Sequence, residues 1–194
     1  MVTISSNSGI ATVDLSGNGV GALTLSTNSF NFGDQRVGIA TQTTVSVSNA
    51  GSGDLDISSI TTTGSNFSST HDCPASLSSG SNCTITIVFN PSARGIRFGA
   101  TTVNSEGVPY IITLSGNGLA PTISFTPANL QFAFQAVGTT SSARSVTITN
   151  SGDLPLAINS ISTTGDFSGT NDCGNSLAVN ATCTVNVVFS PSGL

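Results

Sequence analysis

Asp72–Ser92 reads DCPASLSSGSNCTITIVFNPS, and one hundred residues later Asp172–Ser192 reads DCGNSLAVNATCTVNVVFSPS. Each copy carries two cysteines with nine residues between them and closes on an alternating run. In the first copy Ile85, Ile87 and Phe89 alternate with Thr84 and Thr86; in the second, Val185, Val187 and Phe189 take the same places. Apolar residues at every second position are the mark of a strand with one buried face. The two copies predict β modules in tandem.

Matching blocks extend outward from this stretch. FGDQRVG at Phe32–Gly38 returns as FAFQAVG at Phe132–Gly138, and VSVSNAG at Val45–Gly51 as VTITNSG at Val146–Gly152. LSGNG closes a block at Leu15–Gly19 and again at Leu114–Gly118. The period is about 100 residues, the ordinary size of one domain. Three segments follow: 1–19, the C-terminal hairpin of a preceding or donated repeat; 20–119, a complete unit; and 120–194, a unit lacking its last two strands.

Within the complete unit the alternation places strands near 23–32, 43–49, 55–62, 66–70, 83–89, 98–105 and 110–115. Turn residues separate them, as in Asn49-Ala-Gly51 and Gly116-Asn-Gly118. No stretch carries a helical face. The fold class is all-β, a tandem of immunoglobulin-like, seven-stranded β-sandwich repeats. A small closed barrel of the OB type is the architectural alternative.

Composition excludes several functions. Charged residues are 7% of the chain, the net charge is −5 and there is no Lys. Arg36, Arg94, Arg97 and Arg144 are scattered, so no nucleic-acid footprint exists. Apolar runs fall far short of the ~20 residues of a spanning helix, so no membrane insertion is expected. Hydrophobic residues, at 37%, suffice for a core. The phenylalanines fall mostly at core positions of the alternation, leaving no large aromatic surface for a glycan or protein ligand. His71 beside Asp72 makes no catalytic pair: Asn171 holds the matching place, and no nucleophile signature accompanies it. The chain is not expected to be an enzyme, and no cofactor is expected.

The four cysteines form one pair per unit, which we read as disulfides Cys73–Cys83 and Cys173–Cys183. Four thiolates could instead bind zinc, but the spacing is wrong and the pairs belong to different units. Disulfides imply an oxidising compartment, although Met1-Val-Thr-Ile-Ser-Ser is no signal peptide; Met1 is then not the natural start, or the chain is a processed piece. Asn66, Asn82 and Asn180 begin glycosylation sequons, which a chain so rich in Asn, Ser and Thr also produces by chance. Asp54, Asp56 and Asp153 sit in turns and could meet Ca²⁺, but without EF-hand spacing they read as solvated carboxylates, and no metal is expected.

These motifs together resemble a known family. The FGDQRVG and FAFQAVG openings, the SNAGSGDLDI and TNSGDLPLAI turns, the cysteine blocks and the LSGNG endings are similar to bacterial choice-of-anchor D repeats, relatives of the ASPM/SPD-2/Hydin immunoglobulin-like domains. The resemblance spans nearly the whole chain. It implies a seven-stranded sandwich and an exported, extracellular or cell-surface protein, a repeat within something larger. It carries no catalytic residues.

A sandwich without its last two strands exposes an apolar groove and unpaired backbone groups. Residues 2–15 resemble what the last unit lacks. Val2, Ile4, Val13 and Leu15 are therefore the expected donor positions, and Phe132, Val146, Ile148, Val187 and Phe189 the expected acceptor core. A domain is ~30–40 Å long at ~3.3 Å per strand residue, and the linkers are short. The partner is thus expected to be a second copy, joined head to tail by strand addition into an open filament or surface fibre. The alternative is a fragment of a large surface adhesin, whose neighbouring repeats are the partners; any window of about two periods from such an array would carry matching halves.

Overall fold

The computed structural model describes residues 1–15 and 22–193. By contacts the chain divides into two units. The first comprises Met1–Gly33, Ala40–Asn90 and Ile96–Gly116; the second comprises Asp34–Ile39, Pro91–Gly95 and Asn117–Leu194. The expected boundary at 19/20 lies outside the described residues. Residues 34–39 and 91–95 group with the second unit, where Val37 N–H donates to Leu119 O and Gly38 N–H to Pro91 O. No helix among the described residues is long and apolar enough to cross a membrane.

In chain order the strands up to residue 119 are β1 (Val2–Ser6), β2 (Gly9–Val13), β3 (Leu23–Leu25), β4 (Ser29–Arg36), β5 (Thr41–Asn49), β6 (Leu55–Thr63), β7 (Phe67–His71), β8 (Ser76–Leu77), β9 (Asn82–Phe89), β10 (Gly95–Ser105) and β11 (Val108–Leu119). Among the described residues β1 and β2 pair only with each other. The rest make two sheets, β3-β5-β9-β7 and β4-β11-β10-β6-β8. This is an immunoglobulin-like sandwich and not a closed barrel, since each sheet ends in two free edges. Val45, Val47, Ile85, Ile87 and Phe89 of one sheet bury completely with Leu55, Val103, Ile112 and Leu114 of the other. The alternation of Thr and Ser with these residues puts the hydroxyls on the outer faces.

All seven expected strands are present, with two differences. The segment read as one strand at 23–32 is two strands in two sheets. The chain crosses at Thr27, whose Oγ1 donates to Ser29 O and accepts from Ser29 N–H, a local bend that competes with continued pairing. The short β8, inside the Ser-rich cysteine loop, was not anticipated. It buries Leu77 and pairs with β6, Leu55 opposite Leu77.

A buried asparagine fixes this loop. Asn49 Nδ2 donates to Gly53 O and Leu77 O, both at 2.8 Å, while its Oδ1 accepts from Gly51 N–H at 2.9 Å. Asn150 repeats the arrangement with Leu154 O, Leu177 O and Gly152 N–H. Both cysteine pairs are bonded, with Cα–Cα distances of 4.9 Å and 4.8 Å. Closing so short a loop contributes roughly 2–3 kcal/mol in the chain-entropy account. Gly116 lets β11 lie on the core: a Cβ there would stand 2.5 Å from Cε1 of Phe89.

The second unit continues with β12 (Ile123–Thr126), β13 (Arg144–Asn150), β14 (Leu156–Ala157), β15 (Phe167–Asn171), β16 (Ser176–Leu177) and β17 (Thr182–Phe189). Its sheet β12-β13-β17-β15 reproduces β3-β5-β9-β7 in order and register, Phe167 opposite Phe189 as Phe67 opposite Phe89. The other sheet is reduced to the pair β14-β16. Among the described residues nothing corresponds to β10 or β11. Residues 129–136, the counterpart of β4, form no strand, and the counterpart of nine-residue β6 shrinks to two residues. Both segments would border the two strands not found. Extended chain without a ladder partner leaves its backbone groups to water and gains nothing from being straight.

Candidate functional site

The site has two faces, each described on its own unit. In the first, β1 and β2 pair with Val2 opposite Val13 and Ile4 opposite Ala11. Strand alternation therefore puts Val2, Ile4, Ala11 and Val13 on one face, with Leu15 next in phase. These side chains are exposed: Val2 47%, Ile4 57%, Val13 52% and Leu15 66%. Aligning LSGNG with LSGNG sets them, without a gap, against Thr101, Val103, Ile112 and Leu114, all buried to 2% or less. Even the turns coincide, at 7–8 and 106–107. The hairpin is thus a second copy of β10–β11 with its core face in water. Ile10 falls on the opposite face, opposite Ser5.

The second face is a cleft of about 520 Å³ in the second unit, lined by Ile123, Phe125, Ile148, Leu156, Ile158 and Ile161 among others. All six match first-unit residues that are buried or packed on the core: Leu23, Leu25, Val47, Leu55, Ile57 and Ile60. In the second unit Ile148 alone of them is fully buried, and Ile123 and Phe125 are about half exposed. The apolar set is the same, but the strands that cover it in the first unit are not there among the described residues.

Of the expected acceptor residues, Ile148 lines the cleft and Val187 packs against its cluster. Phe132 and Phe189 meet Phe167 in an aromatic group with centroids 5.0–6.1 Å apart, matching Phe32, Phe67 and Phe89. Arg144 lies 6.0 Å over the Phe132 ring. Val146 is half-buried on the same strand face as Ile148. Sequence reasoning missed Ile123, Phe125, Leu156, Ile158, Ile161 and Phe167. The repeat offset from buried first-unit positions would have found them.

Other candidates fare differently. The Asp153 carboxylate is held by Arg94 in a two-pronged pair, Nε to Oδ2 at 2.5 Å and Nη2 to Oδ1 at 2.8 Å, so this turn acid, read as solvated, is an ion-paired one. Arg94 Nη1 also donates to Ser151 O at 3.1 Å. The bond to Arg94 holds Asp153 below the usual carboxylate range and raises Arg94. A lowered carboxylate stabilises the fold above its unfolded pKa, ~3.9, and that contribution vanishes as pH falls through the folded value. Carboxyl chemical shifts should therefore show Asp153 titrating below ordinary Asp, and Arg94→Ala should return it upward.

Asp54 and Asp56 are exposed. Among the described residues the groups able to gather metal ligands are Asp72 with Cys73 and Cys83, and Asp172 with Cys173 and Cys183. The sulfurs in both are disulfide-bonded, and Asp72 and Asp172 accept from the amides of Thr84 and Thr184. His71, on edge strand β7, is exposed. Asn82 and Asn180 are exposed; Asn66 is buried, its amide donating to Asn90 O, so a glycan there would break that bond. Six of the ten phenylalanines are buried or half-buried, while Phe98, Phe125, Phe134 and Phe167 are exposed. Phe98 stands on β10 before its pairing with β6 begins, and Phe134 lies in the segment without a strand partner.

Among solved structures, the chain is similar to the secreted serine protease VesC from Vibrio cholerae, at 11% identity and TM-score 0.43, over 88% of this chain and 47% of that one. It thus spans about half the length of VesC. It is also similar to the ASH / PapD-like domain of human CEP192 (15% identity, TM-score 0.40, 56% and 94% covered) and to the Yersinia pseudotuberculosis adhesin InvE (17%, 0.29, 89% and 52%). No curated protein matches it in sequence. Residues 21–117, half of the chain and all of the sandwich described above but the last two residues of β11, match the HYDIN/CFA65/VesB-like, Ig-like domain family, and the chain belongs to that family.

Proposed function

We propose that this chain is an extracellular or cell-surface structural repeat protein of the choice-of-anchor D kind. Its copies join head to tail, the hairpin 2–15 of one entering the open second unit of the next, so that a filament results. It has no catalytic role and needs no cofactor. The observation that carries this reading is the gapless match of Val2, Ile4, Val13 and Leu15 to Thr101, Val103, Ile112 and Leu114: one set solvent-exposed, the other wholly buried. A heterologous contact of this kind builds an open filament wherever its rotation does not close into a ring. The disulfides support export, because cytosolic reductants would keep such thiols reduced.

The test is Leu15→Asp. Wild-type protein should form filaments under the electron microscope. The variant should remain monomeric, with the first unit melting unchanged, because Leu15 is exposed there. Filaments from the variant would overturn the donor assignment. A second reading, that the chain is a stretch of a surface adhesin whose neighbouring repeats supply the missing strands, is favoured by a repeat offset that stays near 100 residues along the chain. It predicts monomeric wild type at every concentration.

A further inference from the structure

We propose that the docked hairpin enters the middle of a sheet, not its edge, and that two flanking segments of the acceptor become strands only on docking. This rests on the head-to-tail reading above and adds the register and the coupled folding. In the first unit β10 and β11 are interior: the order is β4-β11-β10-β6-β8. Residues 129–136 and 158–163 of the second unit are the counterparts of β4 and of most of β6, and neither is a strand. Within them only the ends are tied down, Ile158 N–H donating to Asn175 O and Ala136 O accepting from Thr139 N–H; an incoming hairpin therefore finds a gap bordered on both sides by segments, 129–135 and 159–163, that belong to no ladder. β2 satisfies 129–136 and β1 satisfies 158–163. A second copy is the fitting occupant, because its hairpin already carries the apolar pattern of the missing pair on one face, with Thr3, Ser5, Ile10 and Thr12 on the other.

The first unit also sets the register. There Thr102 faces Thr61, Val103 faces Ile60 and Asn104 faces Ser59. Carried over by the repeat offsets, Thr3 of one copy faces Ser162 of the next, Ile4 faces Ile161 and Ser5 faces Ser160. Ile4 then closes on Ile161, which lines the cleft. A slip by one residue would turn Val2 and Ile4 outward, so the apolar face enforces the register.

Paired cysteines read this register. Directly opposed residues stand ~4.5–5.5 Å apart at Cα, within disulfide reach. Thr3→Cys combined with Ser162→Cys should give a ladder of covalent multimers on a non-reducing gel. Thr3→Cys with Ser160→Cys, off register, and with Ser168→Cys on edge strand β15, should not. Hydrogen exchange adds a second readout: amides of 129–135 and 159–163 should be unprotected in the monomeric Leu15→Asp variant and protected in wild-type filaments. A ladder from the Ser160 or Ser168 pairing, or protection already complete in the monomer, overturns this proposal while leaving head-to-tail joining in place. Wild type that stays monomeric overturns both.

Discussion

Phe89→Ala should destabilise the first unit by about 3–5 kcal/mol, the usual loss when a buried aromatic leaves a cavity. Phe189→Ala should cost the second unit less than half as much in the unassembled chain. The two residues hold the same place: each faces its partner, Phe67 or Phe167, across the same ladder and stacks on it at about 5 Å. What differs is cover. Phe89 has no exposed surface and lies under β11 at Gly116; Phe189 is half-buried, with no counterpart of β11 among the described residues. Less area leaves water on folding, so less is lost on truncation. Urea unfolding followed by amide exchange, which separates the units, measures both. In assembled protein the Phe189→Ala cost should rise towards that of Phe89→Ala. Equal costs in the monomer would mean that the second core is already closed.

Asn49→Ala should destabilise the first unit by about 2–5 kcal/mol. The side chain is buried and makes three hydrogen bonds, two of them to the carbonyls of Gly53 and Leu77. Alanine leaves both acceptors without that donor, at ~1–3 kcal/mol for each unsatisfied group. The loop carrying β8 should loosen with it, since Leu77 is tied to the β5–β6 turn through this amide. Asn49→Asp should be no better: it keeps the acceptor for Gly51 N–H but turns an acceptor towards two carbonyls. Asn150→Ala should act likewise on Leu154 and Leu177. Thermal melts of the two variants, with exchange rates at Leu77 and Leu177, check this. A loss below ~1 kcal/mol would show that the turn holds without its clip.

The strands were legible because alternation is a local property. Val45 and Val47, or Ile85, Ile87 and Phe89, announce one buried face without any knowledge of what covers it. Asn49 was legible as a turn residue but not as a buried clip, since its Leu77 partner is 28 residues away. The crossing at Thr27 was hidden because Leu23 and Leu25 before it and Phe30 and Phe32 after it each alternate, and only the change of phase between the two runs marks the bend. Leu77 was hidden because a lone apolar residue in a Ser-rich loop has no period to betray it. Asp153 looked free because Arg94, its partner, is 59 residues distant.

For the site, internal repetition carried the donor half: the second LSGNG identifies which positions of 2–15 belong inward. It did not reveal the acceptor lining in full, because residues such as Ile123, Phe125 and Ile161 are set apart only by being open where their counterparts are covered.

By itself the sequence determined the period, the disulfide pairs, the all-β class and the inward face of each strand, for these follow from short-range alternation and from matching the chain against itself. Only the tertiary structure decided which segments become strands at all. Residues 129–136 carry much of the pattern of β4 yet form none, because a strand exists through the hydrogen bonds of its neighbour and not through its own side chains.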